Sequence, residues 1–379
     1  MPYITIPVTN NYQISFDDIL FGISQSDYDK KIQNTHDTRT VLRAKTPDKL
    51  LENTKFNEMI TLLVNFNEKY KALISTEDKA SLYRSFKIPK RTGGLRQIDA
   101  PLDDLMVALR ELKYIFEKKL YASYHTSAFA YVSGRSTIDA VKRHQRNNSK
   151  WFLKLDFHNF FGSTTPDFVL NMLNMIFPFN EILRSEKGAT ALKDALSLCF
   201  LNGGLPQGTP ISPTLTNLMM IPVDHAIAKY AREHSPHLCY TRYADDIILS
   251  SDLNFKWDTV QTDIIEIISK FGAPFTLNTT KTRYGSSAGR NWNLGVMLNK
   301  DNKITVGHER KKVFKAMLFQ FCTDYKGGHP WSLEDVQHLQ GLKAYYEMVE
   351  GDAIKEIVKT YTQKTGVDIE ATIKELLLN

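Results

Sequence analysis

Three aspartates carry the clearest chemical signal in this 379-residue chain. Asp245 and Asp246 are adjacent within Tyr240-Thr-Arg-Tyr-Ala-Asp-Asp-Ile-Ile-Leu-Ser250, and Asp156 stands alone within Trp151-Phe-Leu-Lys-Leu-Asp-Phe-His-Asn-Phe-Phe161. Two neighbouring carboxylates repel each other unless a cation sits between them. Mg²⁺ is the usual partner, because it is a hard ion that takes carboxylate and phosphate oxygens. An aspartate inside an apolar strand is costly to bury unless it is paired or metal-bound. An Asp-Asp pair also occurs in ordinary hairpin turns, so the pair alone leaves both readings open. The flanks of the pair are β-branched and aromatic, which predicts two strands with the acids at the turn between them. If the Asp156 strand lies alongside, three carboxylates meet around two Mg²⁺ ions. Such a site activates an attacking hydroxyl and neutralises a leaving phosphate in an in-line displacement.

Basic elements flank these acids. Phe86–Ile88 and Leu95–Ile98 read as two short strands around a Thr92-Gly93-Gly94 turn, carrying Arg84, Lys87, Lys90, Arg91 and Arg96. A basic hairpin with a glycine tip suits a polyphosphate; a solvated edge strand protected by lysines is the alternative. Residues 102–120 read as one amphipathic helix. Arg135, beside Gly134, is either a phosphate or template contact or a plain surface arginine. Gly203-Gly-Leu-Pro-Gln-Gly-Thr-Pro-Ile-Ser-Pro213 is a rigid loop opening a helix, with Gln207 and Ser212 in a fixed frame. Backbone N–H groups at a helix start favour an anion or nucleotide.

A helix follows over about 257–271, and a strand from Phe275 ends in Lys281. From about 291 a hairpin turns at Lys300-Asp301-Asn302, and a helix begins with His308, Arg310, Lys311, Lys312 and Lys315. Its apolar face is Phe314, Met317, Leu318 and Phe321. Another helix starts near Ser332, with Asp335 as capping partner. A helical module with a basic leading face suits backbone contact with a nucleic-acid duplex, against the alternative of a solvated face.

The bulk properties agree with this picture. Net charge is +6, and hydrophobic residues make up 42% of the chain. Cys199, Cys239 and Cys322 are scattered and form no metal-ligand or disulfide pattern, so a reducing cytoplasm is the expected setting. There is no apolar run of membrane-spanning length, so no membrane partner is expected. Residues 1–80 read as an N-terminal extension, with a helix starting at Thr46-Pro47 and an apolar face of Leu50, Leu51, Phe56, Ile60, Leu63 and Phe66.

Six ordered blocks together resemble bacterial reverse transcriptases over residues 81–320. They are Ile-Pro-Lys-Arg-Thr-Gly-Gly-Leu-Arg-Gln-Ile, Leu-Lys-Leu-Asp-Phe-His-Asn-Phe-Phe, Gly-Leu-Pro-Gln-Gly-Thr-Pro-Ile-Ser-Pro, Tyr-Ala-Asp-Asp, Leu-Asn-Thr-Thr-Lys-Thr and Asn-Leu-Gly-Val. The resemblance implies an α+β right-hand polymerase fold. Fingers would span 81–150, an antiparallel-sheet palm 151–290, and a helical thumb 291–379. It implies an RNA-directed DNA polymerase that uses dNTPs and two Mg²⁺ ions, with Mn²⁺ as the alternative ion. Asp156 and Asp245 match the metal ligands, with Asp246 close behind. Phe157 joins both the metal and the nucleotide contacts. Lys90 and Arg96 match triphosphate contacts, Gln207 a residue beside nucleotide and template, and Lys281 a proton donor to pyrophosphate. Phe161 matches the ring that excludes a ribose 2′-OH. Arg135, Arg310, Lys311 and Lys312 are the candidate nucleic-acid contacts.

Viral RNA-templated RNA polymerases commonly place an acid at the gate and Gly-Asp-Asp at the turn; this chain has neither. Group II intron enzymes share the blocks but usually add segments after the thumb, whereas this chain ends at Asn379, which points away from intron mobility. Retron enzymes are similar in size and thumb entry. Their Val-Thr-Gly is replaced here by Asn293-Leu294-Gly295, and their Asn-Ala…His element is missing. These departures favour a stand-alone, phage-defence-associated enzyme, with a retron-like system as the alternative; either copies a noncoding RNA and works with RNA/DNA hybrid and an effector protein or second copy. The rival readings are a catalytically retired fold that binds RNA, and untemplated or protein-primed synthesis at the same site.

Overall fold

The computed structural model describes residues 6–7, 41–42, 54–89, 93–120, 123–287, 292–293 and 295–378. Lys90, Arg91 and the expected helix start at Thr46-Pro47 lie outside these residues, as does most of the N-terminal extension. The chain divides into two compact units. One comprises residues 1–135, 154–247 and 256–282, and the other 136–153, 248–255 and 283–379.

The strands, in chain order, are β1 (Ile6–Pro7), β2 (Val41–Leu42), β3 (Tyr83–Pro89), β4 (Leu95–Pro101), β5 (Trp151–His158), β6 (Cys239–Tyr243), β7 (Asp246–Ser251), β8 (Thr276–Leu277), β9 (Arg283–Ser286), β10 (Trp292–Asn293), β11 (Val296–Leu298) and β12 (Ile304–Thr305). The main sheet has the order β6-β7-β5-β8, with β9 also paired to β5. This order seats the Asp156 strand directly beside the strand that begins at Asp246. Phe152, Leu153, Leu155 and Phe157 are all buried, because a strand with neighbours on both edges and covered faces tolerates little polar surface.

In the first unit the helix Thr54–Lys69 buries Phe56, Ile60, Leu63 and Phe66, the helical spacing read from the sequence. The hairpin β3–β4 is longer than the expected pair of short strands. Seven residues on each side pair antiparallel, from Tyr83↔Pro101 to Pro89↔Leu95. Gly93 and Gly94 both sit at positive φ (86° and 80°), a backbone that L side chains rarely adopt and that suits the expected turn, whose Thr92 lies outside the described residues. The single helix expected over 102–120 is instead the α-helix Asp103–Tyr114 followed by a π turn, Ile115–Lys119. The wider turn still buries Ile115 and Phe116.

The second unit is built on the helices His308–Lys326, Leu333–Thr365 and Ile369–Leu378. Phe314, Leu318, Phe321, Val336, Leu339 and Ile354 form its core. The Ser332 hydroxyl accepts from Asp335 N at 3.2 Å and donates to Asp335 Oδ2 at 2.6 Å, the expected cap. The long helix kinks at Glu350 (φ −135°, ψ 53°), whose carboxylate accepts from Val306 N and from Lys311 Nζ. Cys199, Cys239 and Cys322 are buried, and none of the three is in a disulfide. Among the described residues no helix is long and apolar enough to cross a membrane.

Candidate active site

Asp156 lies near the end of β5 with only 8% of its surface exposed. Lys281 Nζ stands 3.1 Å from its Oδ2 and 3.2 Å from its Oδ1. Lys281 does not end a strand, as the sequence suggested. β8 stops at Leu277, and Lys281 closes a 3₁₀ turn, Thr279–Lys281. Asn278 N donates to the Asp156 carbonyl at 2.7 Å, so the turn is hung on the strand whose carboxylate its lysine meets.

The acidic pair sits where expected. β6 ends at Tyr243, Ala244 turns with φ +55°, and β7 begins at Asp246. Burial raises the carboxyl pKa of Asp245, and the charges of Asp246 and Asp156 raise it further. Burial also raises that of Asp246, against the pull of Lys154. Lys154 Nζ lies 3.0 Å from Asp246 Oδ2. The sequence reading missed Lys154, although the signal was present. In Leu-Lys-Leu-Asp the strand period of two puts Lys154 and Asp156 on one face.

Three carboxylates in a cluster short of positive charge are a donor set that fits a hard divalent cation. They do not yet converge on one point: among the described residues no three ligating side chains form a ready cage. Lys281 holds Asp156 and Lys154 holds Asp246, so an entering cation competes with these ammonium groups for the same oxygens.

Beside the carboxylates opens a cleft of about 620 Å³, lined among others by Arg96, Phe161, Gln207, Asp245 and Lys281. Arg96 reaches it from β4. Gln207 is placed by its carbonyl, which accepts from Asp99 N at 2.8 Å. The loop around it is braced by Ser212, whose hydroxyl donates to the Pro206 carbonyl at 2.9 Å. Ser212 is thus a framing residue rather than a lining one. Phe161 follows a left-handed Asn159 (φ 48°), and its carbonyl accepts from Leu205 N at 2.9 Å. Phe157 also borders the cleft, but its ring is buried against Phe160 and Phe275, at centroid distances of 5.2 and 4.7 Å. Its ring therefore belongs to the core.

Of the remaining basic residues, Arg135 does not line this cleft. Arg135 Nη1 donates to the carbonyls of His125 (2.7 Å) and Ala128 (2.6 Å), bracing its own loop. Arg310, Lys311 and Lys312 belong to the second unit. Arg310 Nη1 donates to the Gly295 carbonyl, Lys311 pairs with Glu350 at 2.9 Å, and Lys312 is exposed.

Residues 88–310 match the family described as reverse transcriptase (RNA-dependent DNA polymerase). The retron Ec83 reverse transcriptase of Escherichia coli is 32% identical over 298 residues, covering 76% of this chain and 89% of that protein. The retron Mx65 reverse transcriptase of Myxococcus xanthus is 29% identical over 290 residues, covering 73% of this chain and 64% of that protein. A solved telomerase of Candida tropicalis, in complex with a TWJ fragment of telomeric RNA, superposes with a TM-score of 0.48 at 16% identity, covering 82% of this chain and 58% of that one.

Proposed function

This chain belongs to the reverse transcriptase (RNA-dependent DNA polymerase) family, and from that premise we propose that it copies a noncoding RNA into DNA at Asp156, Asp245 and Asp246 with two Mg²⁺ ions. The enzyme is an RNA-directed DNA polymerase with the α+β right-hand fold of that family. It is retron-like in sequence. The departures at Asn293-Leu294-Gly295 and at the missing Asn-Ala…His element, which favoured a stand-alone lineage, are therefore variations within that likeness. Within the proposal, residues 81–150 serve as fingers, 151–290 as palm and 291–379 as thumb.

The observation that carries the proposal is the pairing pattern at the acids. Asp156 and Asp246 each face a lysine, and the charges of both raise the carboxyl pKa of Asp245. Bound divalent ions would supply Lewis-acid polarisation of the phosphoryl oxygens and a more acidic attacking hydroxyl. The chain's own residues do the rest. Arg96 meets triphosphate charge at the mouth of the cleft, and Gln207 flanks the base. Phe161 occupies the space a 2′-OH would need. Lys281, released from Asp156, is a proton donor for pyrophosphate. A catalytically retired, RNA-binding fold would have no need of all three carboxylates together with Lys281.

The test is primer extension on RNA by the parent and by the combined Asp245→Ala, Asp246→Ala variant. Loss of dNTP incorporation with RNA binding retained is expected; unchanged incorporation refutes the proposal. Sequencing nucleic acid that co-purifies with the protein identifies the template. A defence role in the cytoplasm, included in the same proposal, predicts that the double variant no longer lowers phage plaque numbers.

A further inference from the structure

Arg242 on β6 and Asp224 on the helix Ile221–Glu233 are both fully buried. Their ion pair is two-pronged: Nε meets Oδ1 and Nη2 meets Oδ2, each at 2.8 Å. The Tyr240 hydroxyl donates to the same Oδ1 at 2.6 Å, and Nη2 reaches Asn217 Oδ1 at 3.3 Å. Asn217 Nδ2 in turn donates to the Ala130 carbonyl at 2.8 Å. Main-chain bonds from Arg242 N to Ser127 O and from Phe129 N to Arg242 O tie the same strand to the segment 127–130. Burial opposes ionisation of Asp224, but Arg242 and the hydrogen bonds outweigh it and hold the carboxyl below its ordinary range.

A buried ion pair is weak evidence for stability, because a well-packed apolar group often does as well. The remaining nitrogen suggests another use. Arg242 Nη1 donates to the carbonyl of Ala244 at 3.1 Å. Ala244 is the left-handed residue of the acidic turn, at φ +55°. A non-glycine residue persists there only where its surroundings over-determine it. The Ala244 carbonyl belongs to the peptide that leads into Asp245, so fixing that oxygen fixes where the Asp245 side chain departs.

We propose that Arg242, anchored by Asp224, Tyr240 and Asn217, is a positioning residue that orients the Ala244–Asp245 peptide and so presents the Asp245 carboxylate to the cleft before any ion or nucleotide arrives. The inference rests on the reading of Asp245 as a metal ligand.

The test uses the full chain carrying Arg242→Lys. Lysine keeps a cation against Asp224 but lacks the planar fork by which Nε and Nη2 meet Asp224 while Nη1 reaches the Ala244 carbonyl. The expected result is a folded protein whose KM for dNTP stays within about twofold while kcat falls by about 10–100-fold. Mn²⁺ affinity of the nucleic-acid-free protein, followed by electron paramagnetic resonance, weakens by a similar factor. Asp224→Asn keeps the shape but loosens the anchor, and shows the same split. Folded Arg242→Lys protein with kcat and Mn²⁺ affinity within about twofold of the parent overturns the proposal. So does failure of both variants to fold, which assigns the cluster to stability alone. Asp245→Ala isolates the premise. If that variant keeps its incorporation and Mn²⁺ affinity, the metal-site reading fails; if it loses both while Arg242→Lys loses neither, only the positioning role fails.

Discussion

Lys154 Nζ stands 3.0 Å from Asp246 Oδ2, two residues before Asp156 on the same strand. The proposed polymerase site therefore carries its own counter-charge. Replacing Lys154 by Met leaves Asp246 uncompensated in a half-buried position. In the absence of divalent ions the variant should melt about 2–4 °C lower, corresponding to on the order of 1 kcal/mol. Added Mg²⁺ should raise its midpoint more than it raises the parent's. Equal Mg²⁺-induced shifts in parent and variant, read by calorimetry, would contradict this account.

Phe161 lines the cleft from the turn after β5. Trimming its ring in Phe161→Val opens the space proposed to exclude a 2′-OH. The ratio of kcat/KM for dNTP over rNTP should fall by roughly 10–200-fold, the range expected when pocket volume alone discriminates. Single-nucleotide incorporation with matched dNTP and rNTP measures it. An unchanged ratio removes Phe161 from sugar selection.

Behind Phe161, the backbone of Gly204 touches that of Gly162. A Cβ on Gly204 would lie 2.1 Å from the Gly162 carbonyl oxygen, a contact that only backbone movement relieves. Gly204→Ala should cost about 1–3 kcal/mol by denaturant unfolding and should disturb sugar selection by displacing the turn that bears Phe161. Gly285→Ala is the comparison. Its Cβ would meet nothing within 4 Å, and it should leave the sugar ratio alone.

Acid sensitivity should arise in the second unit at His144. The ring is fully buried and bonds Ser250 Oγ at 2.6 Å. Burial, with the charge of Arg143, pushes its pKa down to about 3. An unfolded chain protonates histidine near pH ~6.5, so between these values only the unfolded state binds the proton. The stability contribution is complete above that upper value and drains away as pH falls toward 3, by up to a few kcal/mol. Urea midpoints measured across this range should fall less steeply in His144→Gln than in the parent.

Much of the site was legible before any fold was known. The Asp245–Asp246 turn, the Asp156 strand, the Gly93-Gly94 tip and the Ser332–Asp335 cap all depend on residues a few positions apart. Strand period, turn preference and capping are local, so they survive in a one-dimensional reading. Lys281 was found as a residue but placed on the wrong kind of element. The 3₁₀ turn is closed by Lys281 N on the Asn278 carbonyl and Thr282 N on that of Thr279, while Asn278 N is held by the Asp156 carbonyl, far away in sequence.

The choice of partners was not legible. Every arginine and lysine enters a sequence as one positive charge, whether it will meet solvent, a carbonyl or a carboxylate. Only the folded chain assigns Lys154 to Asp246, Arg135 to the carbonyls of its own loop, Arg310 to Gly295 and Lys311 to Glu350. Only it turns Arg242 from one more basic residue of a strand into the buried support of Ala244. Sequence by itself determined which chemical groups this polymerase possesses and their local geometry, because backbone preferences act over a few residues. Tertiary structure decided which charges neutralise which, because Coulombic and hydrogen-bond partners are set by distance in space and by the water that burial removes.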